Sequence, residues 1–145
     1  MLSRFFLFVV VIVSMVSCTV GPKPIDYGAD GCHFCSMTIV DRQHAAEIVT
    51  KKGKAYKFDA AECMMNHLKD VDVATIELFL VNDYQDPGEL INAQEATFLI
   101  SKSIPSPMGE YLSAFSSRKA AEQIETENKG QLYSWEELKA RFKIE

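Results

Sequence analysis

The densest cluster of soft donor atoms in this chain is Cys32-His33-Phe34-Cys35-Ser36-Met37. Two thiols separated by two residues can curl onto one ion, and the Met37 thioether follows two residues later. Thiolate and thioether ligands select Cu(I), whereas zinc rarely takes methionine. Other chemistries stay open for the pair. A structural zinc ion wants four ligands, which Cys32, Cys35, Cys63 and either His33 or His44 can supply. A redox Cys-x-x-Cys usually opens a helix whose dipole lowers the thiol pKa. Here the pair leads instead into Met37-Thr38-Ile39-Val40, which is strand-like. A plain disulfide suits an oxidising envelope.

A further soft donor, Met108, stands in Ile104-Pro105-Ser106-Pro107-Met108-Gly109. Both prolines lack a backbone donor, so this stretch is a stiff loop. A methionine commonly fills a gap in a core. Between Pro and Gly on a loop, however, Met108 is placed at the surface with a pre-set backbone, as a binding residue benefits from. Cys63 and His67 are four apart and share a helix face, which suits either a metal pair or a buried thiol beside a hydrogen-bonded histidine. His44 reads as a surface turn residue. There is no Gly-rich phosphate loop, no Ser-His-Asp signature and no carboxylate pair in a cleft-like context, so catalysis has no support and the chain reads as a non-enzyme. With 15 Lys and Arg against 20 Asp and Glu, the chain lacks the basic face a general nucleic-acid binder needs.

The elements that must position these residues follow from periodicity. Ala45–Thr50 and Ala55–Phe58 flank Lys51-Lys52-Gly53-Lys54 as a hairpin. Met37–Val40 reads as a short strand leading into it. Asp59 is a good N-cap, and Glu62 three residues on completes a capping-box pattern. Ala61, Met64, Met65 and Leu68 then form one buried stripe of a helix that stops near Asp70. Strands are expected at Ile76–Val81, Ala96–Ser101 and Tyr111–Phe115, with a turn at Asp86-Pro87-Gly88. Ser116 or Ser117 caps a helix over Arg118–Asn128, Gly130 ends it, and Ser134 with Glu137 boxes a last helix, Trp135–Phe142. Each half reads approximately strand–strand–helix–strand, a weak internal repeat, and the irregular mixing favours α+β.

At the N-terminus, residues 5 to 16 are apolar except for Ser14, and Arg4 precedes them. As a helix this run rises about 18 Å, well short of a bilayer core about 30 Å thick, so it reads as a secretory signal. Its ending, Val16-Ser17-Cys18, resembles a bacterial lipobox in which Cys18 is lipidated and becomes the first residue. Residues 19 to 30 carry two Pro and two Gly without periodicity and read as a tether. The expected division is a lipoprotein signal peptide over 1–17, the lipidated Cys18 and flexible tether over 18–30, and a metal-binding domain over 31–145.

Together these motifs resemble the NosL family, lipoproteins that serve as copper-delivery accessory proteins for nitrous oxide reductase. The matching residues are the lipobox ending at Cys18, the run Cys32-x-x-Cys35-x-Met37-x-Ile39, and Ala45-Ala46-Glu47-Ile48. They continue with Gly53-Lys54-x-Tyr56-x-Phe58-Asp59, Glu62-Cys63-Met64, Pro105-Ser106-Pro107-Met108-Gly109, Phe115 and the Ala120-Ala121 helix. The resemblance implies two related ββαβ units, similar to the small domain pair of the organomercurial lyase family. It also implies Cu(I) binding by Cys35, Met37 and Met108, with Cys32 as a further candidate. The implied partner is nitrous oxide reductase or its maturation transporter, with the domain facing the periplasm from a lipid anchor in a bacterial envelope. Two readings from other classes stand beside it: an envelope thiol-disulfide oxidoreductase using Cys32 and Cys35, and a zinc-binding interaction domain. Met37 and Met108 discriminate, since neither alternative calls for them.

Overall fold

The computed structural model describes residues 20–145; Cys18 and the expected signal peptide lie outside the described residues. The described elements run β1 (Ala46–Thr50), β2 (Ala55–Phe58), α1 (Ala61–Leu68), a 3-10 turn (Val73–Thr75), β3 (Ile76–Asp83), β4 (Asp86–Asn92), β5 (Thr97–Ile100), β6 (Leu112–Phe115), α2 (Arg118–Asn128), β7 (Gln131–Tyr133) and α3 (Trp135–Phe142). One sheet has the order β2-β1-β3-β4 and the other β6-β5-β7, with every pairing antiparallel. In each half the first strand is therefore central, the second and third flank it, and a helix joins the second to the third. This is the expected pair of ββαβ units in an α+β fold, with β4 added to the first unit and α3 to the second.

Burial explains the two central strands. β1 is buried at four consecutive positions and β3 at its last five, because both faces of the sheet are covered. Met64, Met65 and Leu68 bring α1 onto this core beside Ile48 and Phe58. Trp135 joins the two units: its ring lies 5.4 Å from Phe79 of β3 and 6.2 Å from Phe98 of β5. A smaller cluster of Leu99, Ile104, Phe115 and Ala121 sits beneath α2.

A buried polar clasp adds to this junction. His44 Nδ1 lies 3.0 Å from Asp41 Oδ2, and its Nε2 lies 3.2 Å from Ser113 Oγ on β6. With the Nδ1 proton directed at the carboxylate, Nε2 is left to accept from the Ser113 hydroxyl. The spacing gave no sign of a Ser-His-Asp array and placed His44 at the surface, but the fold assembles one with His44 buried. Ser113 is 1% exposed within a strand, so no substrate can reach its oxygen and the array serves as a cross-unit link.

Several expectations need correction. Met37–Val40 forms no strand; a single bridge between Gly31 and Thr38 closes the cysteine loop instead. Asp59 does not cap α1. The N-cap is Ala60, with no side-chain bond, while Asp59 is buried and its Oδ1 has no protein partner. Glu62 likewise does not fold back on the cap, because its carboxyl is taken by Ser106 and the backbone of Leu112. The Asp86-Pro87-Gly88 turn is in fact the start of β4, and the chain reverses at Tyr84-Gln85. β4 is an edge strand, where a proline leaves no ladder bond unmade. The closing strand of the second unit, for which the sequence pattern assigns no bounds, is β7.

The segment expected to be a tether through residue 30 is bonded to the domain from Lys23 onward. Lys23 N–H donates to Glu47 Oε1 (2.8 Å), and Lys57 Nζ donates to Pro24 O and Asp30 Oδ2 (both 2.6 Å). The Tyr27 hydroxyl reaches Asn82 Oδ1 (3.0 Å), and Gly28 N–H donates to Ile39 O (2.8 Å). Among the described residues, no helix is long and apolar enough to cross a membrane.

Two stability effects follow. Gly130 has φ +140°, and a Cβ there would lie 2.5 Å from the Ile100 carbonyl oxygen. Gly130→Ala should therefore lose at least about 2 kcal/mol, read as a lower urea midpoint with an unchanged slope. Glu47 is fully buried, and burial pushes its carboxyl above the usual range, opposed by the Lys23 N–H bond and the nearby Lys57 charge. A carboxyl raised in the folded state contributes stability that is complete below the unfolded pKa and lost as pH rises through the folded value. Glu47→Gln should accordingly be more stable than the parent at neutral pH, with the difference narrowing as pH falls toward the ordinary glutamate pKa, measured by urea unfolding across that range.

Candidate metal centre

The cysteine loop owes its shape to backbone bonds. Cys32 N–H donates to Met37 O (2.7 Å) and Ser36 N–H to Cys32 O (2.9 Å), with Ser36 in the left-handed region at φ +66°. This curl brings the second thiol back toward the first. His33 N–H then donates to Lys57 O at 2.8 Å, fastening the loop alongside β2. Since β2 runs directly into α1, the loop is carried to the first turn of that helix, where Cys63 stands.

Three sulfurs meet there. Among the described residues, the ligand atoms of His, Cys, Asp and Glu that converge are those of Cys32, Cys35 and Cys63, all within 4.8 Å of one another. Cys32 and Cys63 are buried, Cys35 is half-buried, and all three are free thiols. The structure thus brings together Cys32 and Cys35, as their spacing suggests, and adds Cys63. Sequence reasoning placed Cys63 only in a possible zinc set and in an i, i+4 pair with His67. Its type and its place just after β2 were the available signals.

Electrostatics within the cluster are uneven. The Cys63 thiol beside Cys32 holds the Cys32 thiol well below its ordinary range, against the opposing effect of burial. The neighbouring amides of Cys35, Asp59 and Phe34 act in the same direction, and Cys35 N–H donates to Cys32 Sγ at 3.5 Å. The adjacent Cys32 sulfur and burial push the Cys63 thiol up, and burial raises Cys35. Of the three sulfurs, Cys32 is thus the one whose surroundings most favour the thiolate, the form that binds a soft cation.

The histidines stay outside this group. His33 and His67 stack edge-on with ring centroids 5.1 Å apart, between Tyr56 (4.5 Å from His33) and Phe58 (5.3 Å from His67). Burial and the neighbouring His33 depress the His67 pKa. His44 is committed to Asp41 and Ser113.

Both methionines singled out by the sequence lie at the surface, unlike Met64 and Met65, which are fully buried on α1. Met37 is 53% exposed and Met108 36% exposed, and with Phe34 and Val40 they make up the exposed large apolar side chains among the described residues. Neither is consumed by core packing, so both thioethers are accessible.

Comparison with known proteins fits this picture. The NosL family model matches residues 24–142. The crystal structure of the copper chaperone NosL from Shewanella denitrificans superposes with a TM-score of 0.72 at 28% identity, covering 82% of this chain and 96% of that one. No match was found among curated protein sequences. Because the family match spans nearly all of the described residues, the chain belongs to the NosL family.

Proposed function

We propose that this protein is a lipid-anchored Cu(I) metallochaperone that delivers copper to nitrous oxide reductase, directly or through its maturation transporter. The observation that carries the reading is the convergence of Cys32, Cys35 and Cys63 within 4.8 Å, beside a loop that exposes Met37. Such a donor set is soft throughout, which favours Cu(I) over the harder divalent ions. The solved NosL that this fold matches is described as a copper chaperone, which supports the same cargo. As a d¹⁰ ion, Cu(I) tolerates two or three ligands. Thiolates bind it tightly, and an exposed thioether such as Met37 or Met108 can yield its place to an incoming ligand, so the ion passes on by exchange. Cys18 supplies the anchor in this reading, and a bacterial envelope is the compartment.

The reduced full-length protein in detergent should bind about one Cu(I) per chain. Cys63→Ser should weaken that binding at least about tenfold, equivalent to about 1.4 kcal/mol. Replacing Met37 and Met108 together by Leu should also weaken it while leaving the urea midpoint in place. Unchanged copper affinity in both variants, or insulin-type disulfide exchange at thioredoxin-like rates, would favour the oxidoreductase reading instead. Cys18→Ser should move the protein from the membrane to the soluble fraction of the cells that make it; retention in the membrane contradicts the anchor.

A further inference from the structure

Glu62 precedes Cys63 in the first turn of α1 and is 0% exposed. Its Oε1 accepts from the Ser106 hydroxyl and from Leu112 N–H (3.3 Å). Ser106 Oγ also accepts from Tyr111 N–H at 2.9 Å, and the Ser106 carbonyl accepts from Gly109 N–H at 3.0 Å. The residues between are thus a tight turn, Ser106-Pro107-Met108-Gly109, with Gly109 at φ +73°. Pro107 and Met108 occupy its two central positions, where proline pre-sets the backbone.

One carboxyl therefore grips both ends of a loop, at Ser106 and at Leu112, and Met108 lies between the two grips. A carboxyl is costly to bury, and an apolar residue of similar volume fills such a space without that cost. The feature a carboxyl adds here is a directed link from the helix turn bearing Cys63 to the loop bearing Met108. We infer that Glu62 is a positioning residue, which clamps the Ser106–Leu112 loop to the start of α1 and so sets the Met108 thioether relative to the thiols. This rests on the copper reading above, in which Met108 is a ligand. The Oε1 acceptor is what the clamp needs, and glutamine retains it.

The test uses reduced full-length protein in detergent, with Cu(I) affinity read by competition against a chromophoric Cu(I) chelator. Glu62→Ala should weaken binding about tenfold and to the level of Met108→Leu, and combining the two should add nothing, the signature of residues acting through one group. Glu62→Gln should stay within about threefold of the parent. A second readout needs no metal. In protein with ¹³C-methyl-labelled methionine, Glu62→Ala should move the Met108 methyl signal toward its disordered position, and Glu62→Gln should not. If Glu62→Ala fails to fold, Ser106→Ala replaces it, since it removes one grip and leaves the Leu112 bond.

Equal weakening by Glu62→Ala in the parent and in the Met108→Leu background would overturn the inference, because the effect would then run through Cys63 or the fold. An unmoved Met108 signal would overturn it as well. Should Met108→Leu alone leave copper affinity unchanged, the ligand role of Met108 fails, and with it the copper part of the inference. The methyl signal then still decides whether Glu62 fixes the loop.

Discussion

Three sulfurs brought within 4.8 Å of one another must be held in place by the backbone around them, and Cys32 is the one most closely held. Its sulfur accepts from Cys35 N–H at 3.5 Å, and the Cys63 thiol and the amides of Phe34 and Asp59 beside it favour its charged form. This requirement dictates much of the surrounding architecture. The loop curls through a left-handed Ser36, and Cys35 N–H turns back onto the Cys32 sulfur. It must lie against β2, so that the Asp59 amide and the first turn of α1 arrive from the other side. The strap from Lys23 to Asp30, pinned by Lys57, delivers the chain to Cys32 at the right place. A sulfur held this way is poised for a soft cation.

The doubled ββαβ plan puts the soft donors of the proposed copper site on two units. All three thiols belong to the first unit and its N-terminal loop, while Met108 belongs to the loop between β5 and β6 of the second. The units are held in one orientation by Trp135 between Phe79 and Phe98, and by the His44 clasp to Ser113. A rigid junction matters for a metal carrier, because ligands on separate units can share an ion only if their spacing is fixed.

Much of this was legible before any coordinates. The hairpin around Lys51–Lys54, the stripe on α1, the Ser117 cap and the Ser134–Glu137 box all depend on near neighbours in sequence, and the structure has them where local rules put them. The misses are long-range. Asp59 and Glu62 carry cap-like spacing, but packing turned both carboxyls inward, and Glu62 found a partner forty-four positions away. Pro87 reads as a turn until the sheet order shows it on an edge. β7 is three residues long, too short for alternation to reveal. At the site, the Cys32 and Cys35 spacing announced a local pair, whereas Cys63 joins only because a backbone bond between His33 and Lys57 aligns the loop with β2. Membership of Met37 and Met108 is a matter of chemistry that spacing alone does not fix.

Whether these sulfurs hold copper is best addressed by the ion itself. X-ray absorption at the copper edge, on reduced full-length protein loaded with one equivalent of Cu(I), reports both oxidation state and donor type. The account predicts Cu(I) in a shell made of sulfur, depleted by one sulfur when Cys63 is replaced by Ser. A shell dominated by nitrogen or oxygen donors, or one that Cys63→Ser leaves untouched, would contradict it.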